Sequence, residues 1–238
     1  MKTLDQLKIR IFADGADKAS MLALCAKPYI SGLTTNPTLM RKAGVVSYRE
    51  FAREILEKIR EKPVCFEVLA DDFAEMERQA LEIASWGDNV YVKVPITNTR
   101  GDSSRALVSR LVSRNVKVNV TALTTLAQVR GIVAELNPAV ASYVSVFAGR
   151  IADTGMDPLP VMAEAVEALR SNPNARLIWA SSRELLNIFQ AESIGCPVIT
   201  LTGDILAKLA LIGYDLTQYS LETVRMFHDD ALSAGFSL

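Results

Sequence analysis

Histidine and cysteine are scarce in this sequence. The only histidine among its 238 residues is His228, which lies near the C-terminus and precedes two aspartates. A single histidine excludes a histidine-rich metal site and argues against a Ser-His-Asp triad, so we interpret His228 as a surface or packing residue. The three cysteines, Cys25, Cys65 and Cys196, lie in apolar stretches, and none has CxxC spacing. We expect them to be buried thiols in a reducing compartment.

The sequence also lacks an excess of positive charge. Its 26 Lys and Arg residues are balanced by 27 Asp and Glu residues, which gives a formal net charge of −1. No broad basic field is therefore available for nucleic acid or an anionic membrane, and a bound anion must be held by a few placed groups. No apolar run reaches the length of a membrane span, and the N-terminus has no signal-peptide pattern. We expect a cytoplasmic protein.

Short β-branched runs alternate along the chain with longer amphipathic runs. Half of the residues are apolar, which is enough for a sizeable core. Eight strands are predicted, at residues 9–13, 30–34, 64–69, 89–94, 117–121, 142–147, 176–180 and 198–201. The helices between and after them are predicted at residues 16–26, 48–61, 73–85 and 103–113, then up to about 136, at 158–169, up to about 191, and at 204–211.

This alternation predicts an α/β fold, because each helix returns the chain for a parallel strand. Eight units indicate closure into a (β/α)8 TIM barrel, here a single domain over residues 1–238. The competing fold is an open doubly wound sheet, but no GxGxxG motif follows the first strand to support dinucleotide binding. An extra helix is predicted at about 221–234, and we expect it to pack outside the barrel or on another subunit.

Polar residues recur where the predicted strands end. In a parallel barrel these ends share one face, and that face holds the active site. Any one of them is weak support for a site, because strands often end in polar residues, but together they indicate one. They are Asp14, Thr35, Asn36, Glu67, Lys93, Asn119, Thr121, Arg150, Ser181 and Arg183.

Lys93 is the most informative of these residues. Its neighbours in Val-Tyr-Val-Lys-Val-Pro are apolar, which is an unusual setting for a solvated lysine. Inside the barrel mouth, desolvation favours the neutral amine, which can attack a carbonyl and form a Schiff base. Glu67 or Asp14 would then assist with proton transfer, and no metal or cofactor is needed because the iminium is the electron sink. The alternative is a structural Lys93–Glu67 ion pair that closes the barrel.

Five motifs together resemble the transaldolase family, especially its short-chain branch, which includes the fructose-6-phosphate aldolases. They are Gly-Leu-Thr-Thr-Asn-Pro-Thr (32–38), Val-Tyr-Val-Lys-Val-Pro (90–95), Asn-Val-Thr-Ala-Leu (119–123), Val-Phe-Ala-Gly-Arg (146–150) and Ala-Ser-Ser-Arg (180–183). The resemblance covers residues 8–235. It implies a Schiff-base TIM barrel that acts on a small sugar phosphate and assembles into a homo-oligomer, either a pentamer or a decamer of two pentameric rings.

The resemblance also implies a role for each matching residue. Lys93 matches the Schiff-base lysine, Asp14 the aspartate that assists carbon–carbon cleavage, and Thr121 the threonine that holds the catalytic water. Asn36 matches the residue that binds a donor hydroxyl, with Thr35 beside it in the same motif. The substrate phosphate site is matched by Arg150, Ser181 and Arg183, and guanidinium forks suit a phosphate.

Two positions separate the branches of this family. Its transaldolases have glutamate on strand three and phenylalanine three residues before the strand-six arginine, and this chain has Glu67 and Phe147 there. Its aldolases have glutamine and tyrosine, and a tyrosine hydroxyl helps to activate water for acceptor-free release. We therefore expect transfer of a dihydroxyacetone unit. The alternatives are a lyase that releases dihydroxyacetone, an aldol enzyme with an unusual donor, and a non-catalytic barrel.

The stretch 97–104, after the fourth strand, is longer than the family pattern. It is interpreted as a solvated connection in which Asp102 or Ser103 caps the next helix. The other interpretation is that Asn98 or Arg100 contacts the distal part of a longer substrate.

Overall fold

Eight parallel strands form a closed barrel in the computed structural model, which describes residues 3–236. Each strand pairs with the next in the sequence, and the eighth pairs with the first, with Arg10 opposite Val198 and Asp14 opposite Thr202. Closure confirms the predicted (β/α)8 barrel and excludes the open sheet. The strands are β1 (Arg10–Asp14), β2 (Ile30–Thr34), β3 (Val64–Glu67), β4 (Val90–Pro95), β5 (Val118–Leu123), β6 (Ser142–Val146), β7 (Ala175–Trp179) and β8 (Val198–Thr202).

Alternation along the strands divides the apolar residues into two cores. The larger core lies between the strands and the surrounding helices, and a smaller cluster fills the inside of the barrel. This interior cluster comprises Phe12, Cys65, Tyr143, Ile178, Ala180 and Val198. Gly32 makes room for it, because a Cβ atom there would lie 2.6 Å from the Phe12 ring. The barrel is thus a packed core, and polar groups gather at its two ends.

The helices form the outer layer. They are α1 (Lys18–Cys25), α2 (Pro37–Lys42), α3 (Tyr48–Lys58), α4 (Phe73–Ala84), α5 (Arg105–Ser113), α6 (Leu126–Val133), α7 (Ala148–Ala152), α8 (Leu159–Leu169), α9 (Leu186–Ser193), α10 (Gly203–Ala207) and α11 (Leu216–Ser233). The sequence reading missed α2 and α7, which are too short to show a helical period. The helix predicted at 204–211 is α10 followed by a 3-10 turn, Lys208–Leu211.

The C-terminal helix α11 begins five residues earlier than predicted. Asp215 caps it by accepting a hydrogen bond from the Gln218 amide. None of its residues is buried, and large apolar side chains such as Val224 (61% exposed) and Phe227 (63% exposed) face solvent. Packing of this helix against its own barrel is therefore not observed.

The cysteine prediction is partly wrong. Cys65 and Cys196 are buried, but Cys25 is only partly buried because it closes α1 near the surface. All three thiols are free, and His228 is exposed. Within residues 3–236, no helix combines the length and the apolar character that crossing a membrane requires.

Candidate active site

A cavity of about 450 Å³ opens at the C-terminal end of the barrel. Its walls come from the ends of β1 to β8 and from the first turns of α2 and α7, as the parallel topology requires. Ten residues are predicted to have a catalytic or substrate-binding role. All of them except Thr35 line the cavity: Asp14, Asn36, Glu67, Lys93, Thr121, Phe147, Arg150, Ser181 and Arg183. The sequence-predicted strand ends thus meet around one cavity.

Lys93 points into the barrel mouth and is buried, with 6% of its surface exposed. Its Nζ donates a hydrogen bond to the Thr35 carbonyl at 2.8 Å and lies 3.1 Å from the Glu67 carboxylate. Glu67 and Lys93 are neighbours in register on β3 and β4, which brings the two side chains together. The amine therefore has a fixed position and a direct proton partner.

Asp14 lies close to this ion pair, at the end of β1. The residue as a whole is partly exposed, yet its Oδ1 atom is buried without a hydrogen-bond partner. Burial raises the pKa of the Asp14 carboxyl to about 6, Lys93 acts in the opposite direction, and Glu67 raises it further. A carboxyl with this pKa can both accept and return a proton near neutral pH.

Thr35 and Asn36, both predicted to bind substrate, are placed differently. Its side chain is fully buried, and the residue does not line the cavity, so a substrate contact by its hydroxyl is not expected. What it contributes is its carbonyl, which holds the Lys93 amine. Asn36 does line the cavity, but its Oδ1 caps α2 by accepting from the Leu39 amide at 2.9 Å. The NH2 group of Asn36 is available to donate to a ligand.

Tyr48, on α3, supports the end of β3 and was missed by the sequence reading. Its hydroxyl donates to the Glu67 carbonyl at 2.9 Å and accepts from the Glu67 amide at 2.7 Å. The ring packs edge-on against Phe66 and Trp86. These contacts fix the backbone from which the Glu67 carboxylate reaches Lys93.

Ser145 is a second residue that was missed. It lines the cavity from β6, and its hydroxyl donates to the Asn119 Oδ1 at 2.7 Å. Strand alternation could have found it, because Ser145 shares a face with Phe147, two residues on. Near it, β5 has an irregular register, and Ala122 adopts φ 65°, a strained value for a residue with a side chain.

The cationic part of the cavity joins α7 to the end of β7. Ser181 adopts φ 62°, and a Cβ atom at Gly149 would lie 1.7 Å from the Ser181 carbonyl oxygen. Only glycine permits this approach, which brings Arg150 on α7 beside Ser181 and Arg183.

Asp153 pairs with Arg183 and had no sequence signal. Its Oδ1 accepts from the Arg183 Nε at 2.9 Å, and its Oδ2 accepts from the Nη2. Hydrogen bonding to Arg183 lowers the pKa of Asp153, with desolvation opposing and the charges of Arg183 and Arg150 assisting. The Nη1 edge of Arg183 remains available for a ligand.

The loop after β4 is organised around its own residues. Asn98 is buried and accepts from the amides of Arg100 and Asp102, while Arg100 forms ion pairs with Asp71 and Asp102. Neither Asn98 nor Arg100 lines the cavity. Ser103, one of the two predicted cap residues, accepts a hydrogen bond at 3.4 Å from the amide of Arg105, the first residue of α5. Ser104, the N-cap itself, makes no side-chain capping bond. The loop is thus held by its own residues and by Asp71.

A metal centre has no support in the part of the chain that is described. Over residues 3–236 no three His, Cys, Asp or Glu side chains come together to hold an ion. The cavity instead offers an amine, two carboxylates, hydroxyls and two guanidinium groups, which suits acid–base and nucleophilic chemistry on an anionic substrate.

The chain is similar to known proteins over nearly its whole length. A family model described as transaldolase/fructose-6-phosphate aldolase matches residues 11–238. A "Probable transaldolase" of Dehalococcoides mccartyi is 32% identical over 84% of this chain and 90% of its own length. A "Probable transaldolase" of Nitrosopumilus maritimus is 32% identical, covering 90% and 92%, and one of a Thermoanaerobacter strain is 30% identical, covering 97% and 100%. This chain belongs to the transaldolase/fructose-6-phosphate aldolase family.

Proposed function

We propose that this enzyme transfers a dihydroxyacetone unit from a ketose phosphate to an aldehyde acceptor through a Schiff base on Lys93. The observation that carries the proposal is the position of the Lys93 amine. It is buried, held by the Thr35 carbonyl, and in contact with the Glu67 carboxylate. A structural ion pair alone does not account for an open cavity above the amine or for a third ionisable group, Asp14, beside it.

The first half of the proposed reaction breaks a carbon–carbon bond. Once Glu67 has taken its proton, the Lys93 amine attacks C2 of the ketose, and loss of water gives an iminium. Asp14, ionised above a pKa of about 6, removes the proton from the C4 hydroxyl. The C3–C4 bond then breaks, its electrons pass to the iminium to form an enamine, and the aldehyde that carries the phosphate leaves.

The second half reverses these steps with a new aldehyde. The enamine attacks the acceptor carbonyl, Asp14 returns its proton to the new hydroxyl, and water hydrolyses the iminium to release the product ketose and free Lys93. Glu67 and Thr121 both line the cavity and would hold this water. No external oxidant or cofactor enters the balance.

Substrate binding is proposed at the rim of the cavity. Arg150, Ser181 and the free edge of Arg183 would bind the phosphate, because guanidinium groups form charge-assisted hydrogen bonds to phosphate oxygens. The NH2 group of Asn36 would donate to a hydroxyl of the donor.

Transfer is favoured over free release of dihydroxyacetone because of Phe147. Phe147 lines the cavity and has no hydroxyl. A tyrosine at this position could activate the water that protonates the enamine and so allow release of dihydroxyacetone. The lyase remains the second candidate, and an assay without acceptor separates the two. A transferase should release dihydroxyacetone far more slowly than it transfers it, whereas equal rates would make this protein an aldolase.

Borohydride trapping tests the covalent step. Incubation with a panel of ketose phosphates and borohydride, followed by peptide mass spectrometry, should place the reduced adduct on Lys93. An adduct on another lysine would overturn the assignment, and an absence of adduct with every ketose phosphate would overturn the Schiff-base proposal.

Assembly is a further part of the proposal. Most of the stability of helices in proteins comes from packing of an apolar face, and α11 has no buried residue, so its exposed apolar residues argue for a neighbouring subunit. We propose a homo-oligomer, a pentamer or a decamer of two pentameric rings, of a single-domain chain that is located in the cytoplasm. Light scattering tests the assembly: deletion of residues 216–238 should lower the oligomer mass, and a wild-type mass of one chain would refute it.

A further inference from the structure

The N-terminal end of the barrel carries cations at inward-facing positions. Arg10 lies two residues before Phe12, and Arg176 lies two residues before Ile178. Phe12 and Ile178 both belong to the cluster that fills the barrel, and side chains two apart on a strand share a face. Both arginines are therefore directed toward the barrel axis, beneath this cluster.

A third cation lies at the same end, just before β5. The Lys117 Nζ is 5.9 Å from the centroid of the Tyr91 ring, and the tilted rings of Tyr91 and Tyr143 have centroids 4.5 Å apart. Tyr143 is paired in register with Arg176, and its ring centroid lies 5.4 Å from that of Phe12, two residues after Arg10. Burial raises the pKa of both phenols, and the charges of Arg10 and Arg176 act in the opposite direction on each. We refer to Arg10, Lys117 and Arg176 as the basal cations.

None of the basal cations forms an ion pair with a carboxylate within residues 3–236. Lys117 donates to the Asp88 carbonyl at 2.6 Å, which uses one of its three N–H groups. The Arg10 Nη2 is buried without any hydrogen-bond partner. An unpaired buried guanidinium nitrogen is costly, and its repulsion with neighbouring cations adds to the cost.

Space for a ligand exists beside Arg10. This residue lines a cavity of about 530 Å³ together with Lys8 and one carboxylate, that of Asp5, whereas Arg176 and Lys117 do not line it. Arg176 is exposed, so solvent ions reach this end of the barrel. Phe12, Tyr143 and the rest of the interior cluster separate it from the cavity that holds Lys93.

We propose that the basal cations form a second anion site, which binds a phosphate-type oxyanion at the N-terminal end of the barrel. Two guanidinium groups and an ammonium lie at this end, and guanidinium groups bind tetrahedral oxyanions through charge-assisted hydrogen bonds. The ligand is either free phosphate or the phosphate group of a sugar phosphate, since both present the same oxygens. This inference is independent of the function proposed for the Lys93 end.

Inorganic phosphate is the probe, and phosphate binding at the Lys93 end of the barrel must first be abolished. In the full-length Arg150→Ala/Arg183→Ala variant, phosphate should still raise the melting temperature saturably at constant ionic strength. Adding Arg10→Met should abolish this rise, and adding Arg53→Met, which removes an exposed and unpaired arginine of α3, should preserve it. A phosphate response that survives Arg10→Met, or none in the double variant, would overturn the proposal.

Two further measurements guard the interpretation. Without phosphate, Arg10→Met should melt at the wild-type temperature or above, because it removes an uncompensated charge; a lower melting temperature would make Arg10 a structural residue and count against the site. If Arg10→Met does not fold, Arg176→Gln at the exposed rim should weaken phosphate binding about tenfold by calorimetry. An unchanged affinity would refute the site. Repeating the calorimetry with fructose 6-phosphate in place of inorganic phosphate then distinguishes a site for sugar phosphates from a site for free phosphate.

Discussion

At the C-terminal end of the barrel, Lys93 pairs with Glu67 and Arg183 pairs with Asp153. At the N-terminal end, Arg10 and Arg176 pair with no carboxylate among residues 3–236. The difference comes from which residues the fold places at each end of one barrel. Charge is compensated where protons must move and a substrate phosphate binds and leaves, and it is uncompensated where we infer a second anion site.

The compensated end has as many carboxylates as cations. Asp14, Glu67 and Asp153 lie beside Lys93, Arg150 and Arg183. This balance lets buried charges persist without a ligand, and it places a proton acceptor within reach of the amine. The N-terminal end has no such balance, so an anion bound there would supply the missing negative charge. The predictions below remove one group at a time from this arrangement.

The largest effect is expected from Lys93→Met. The change removes the proposed nucleophile and leaves the Glu67 carboxylate without its partner. Turnover and borohydride trapping should both fall to the detection limit. Lys58→Met, at the exposed end of α3, is the matched control and should retain wild-type turnover. Substantial turnover by Lys93→Met would remove the Schiff base from the mechanism.

Arg183→Ala should damage phosphate binding. A charge-assisted hydrogen bond contributes about 1.5–3 kcal/mol, so KM for a phosphorylated donor should rise about 10- to 150-fold. The unphosphorylated analogue should be affected much less. Arg170→Ala, which removes an arginine paired with Glu167 at the surface, serves as the control. Equal losses for the two donors would take phosphate recognition away from Arg183.

Asp14→Asn should change how stability depends on pH. Burial raises the Asp14 pKa from 3.8 to about 6, so the folded state favours the protonated carboxyl. This contribution is fully present below about pH 4 and is lost as the pH rises through about 6. As the pH rises from 4 to 7, the unfolding free energy of the variant should therefore increase by about 1–3 kcal/mol relative to that of the wild type. Parallel pH profiles from denaturant titrations would show that Asp14 does not titrate in this window.

Site residues could be predicted from the sequence where their sequence neighbours are distinctive. Lys93 stands out because its strand is otherwise apolar, and the parallel order of the strands predicts that Asp14, Glu67 and Arg183 meet at one face. The eight strands could be predicted because each is a short β-branched run. Their bounds differ by a few residues, as at β3, where Val68 and Leu69 lie beyond the strand.

What the sequence missed depends on contacts between distant segments. Tyr48 holds the Glu67 backbone from 19 positions away, and Asp153 meets Arg183 only because α7 docks on the end of β7. A sequence also does not tell which atoms of a strand-end residue face the cavity. The Thr35 side chain is buried, and its carbonyl accepts the hydrogen bond of Lys93.

The smallest effect is expected at Asp153, whose two roles oppose each other. Its carboxylate holds the Nε and Nη2 edge of Arg183, which orients the free edge toward the cavity, and its negative charge also repels a phosphate. Both side chains are nearly half exposed, at 43% and 45%, so solvent screens the charge.

Asp153→Ala removes the charge and the orientation together, and KM for a phosphorylated donor should rise. Asp153→Asn keeps an oxygen that can accept from Arg183 but removes the charge, which makes this end resemble the uncompensated one. Phosphate affinity of the Asn variant should increase about twofold to fivefold at low salt, in line with the energy of an exposed pair, and should return toward wild type as salt is added. Inhibition by inorganic phosphate, measured at two ionic strengths, checks this. Weaker inhibition in the Asn variant at both would mean that Asp153 acts on Arg183 through its charge alone, because the retained oxygen would then have failed to orient the guanidinium.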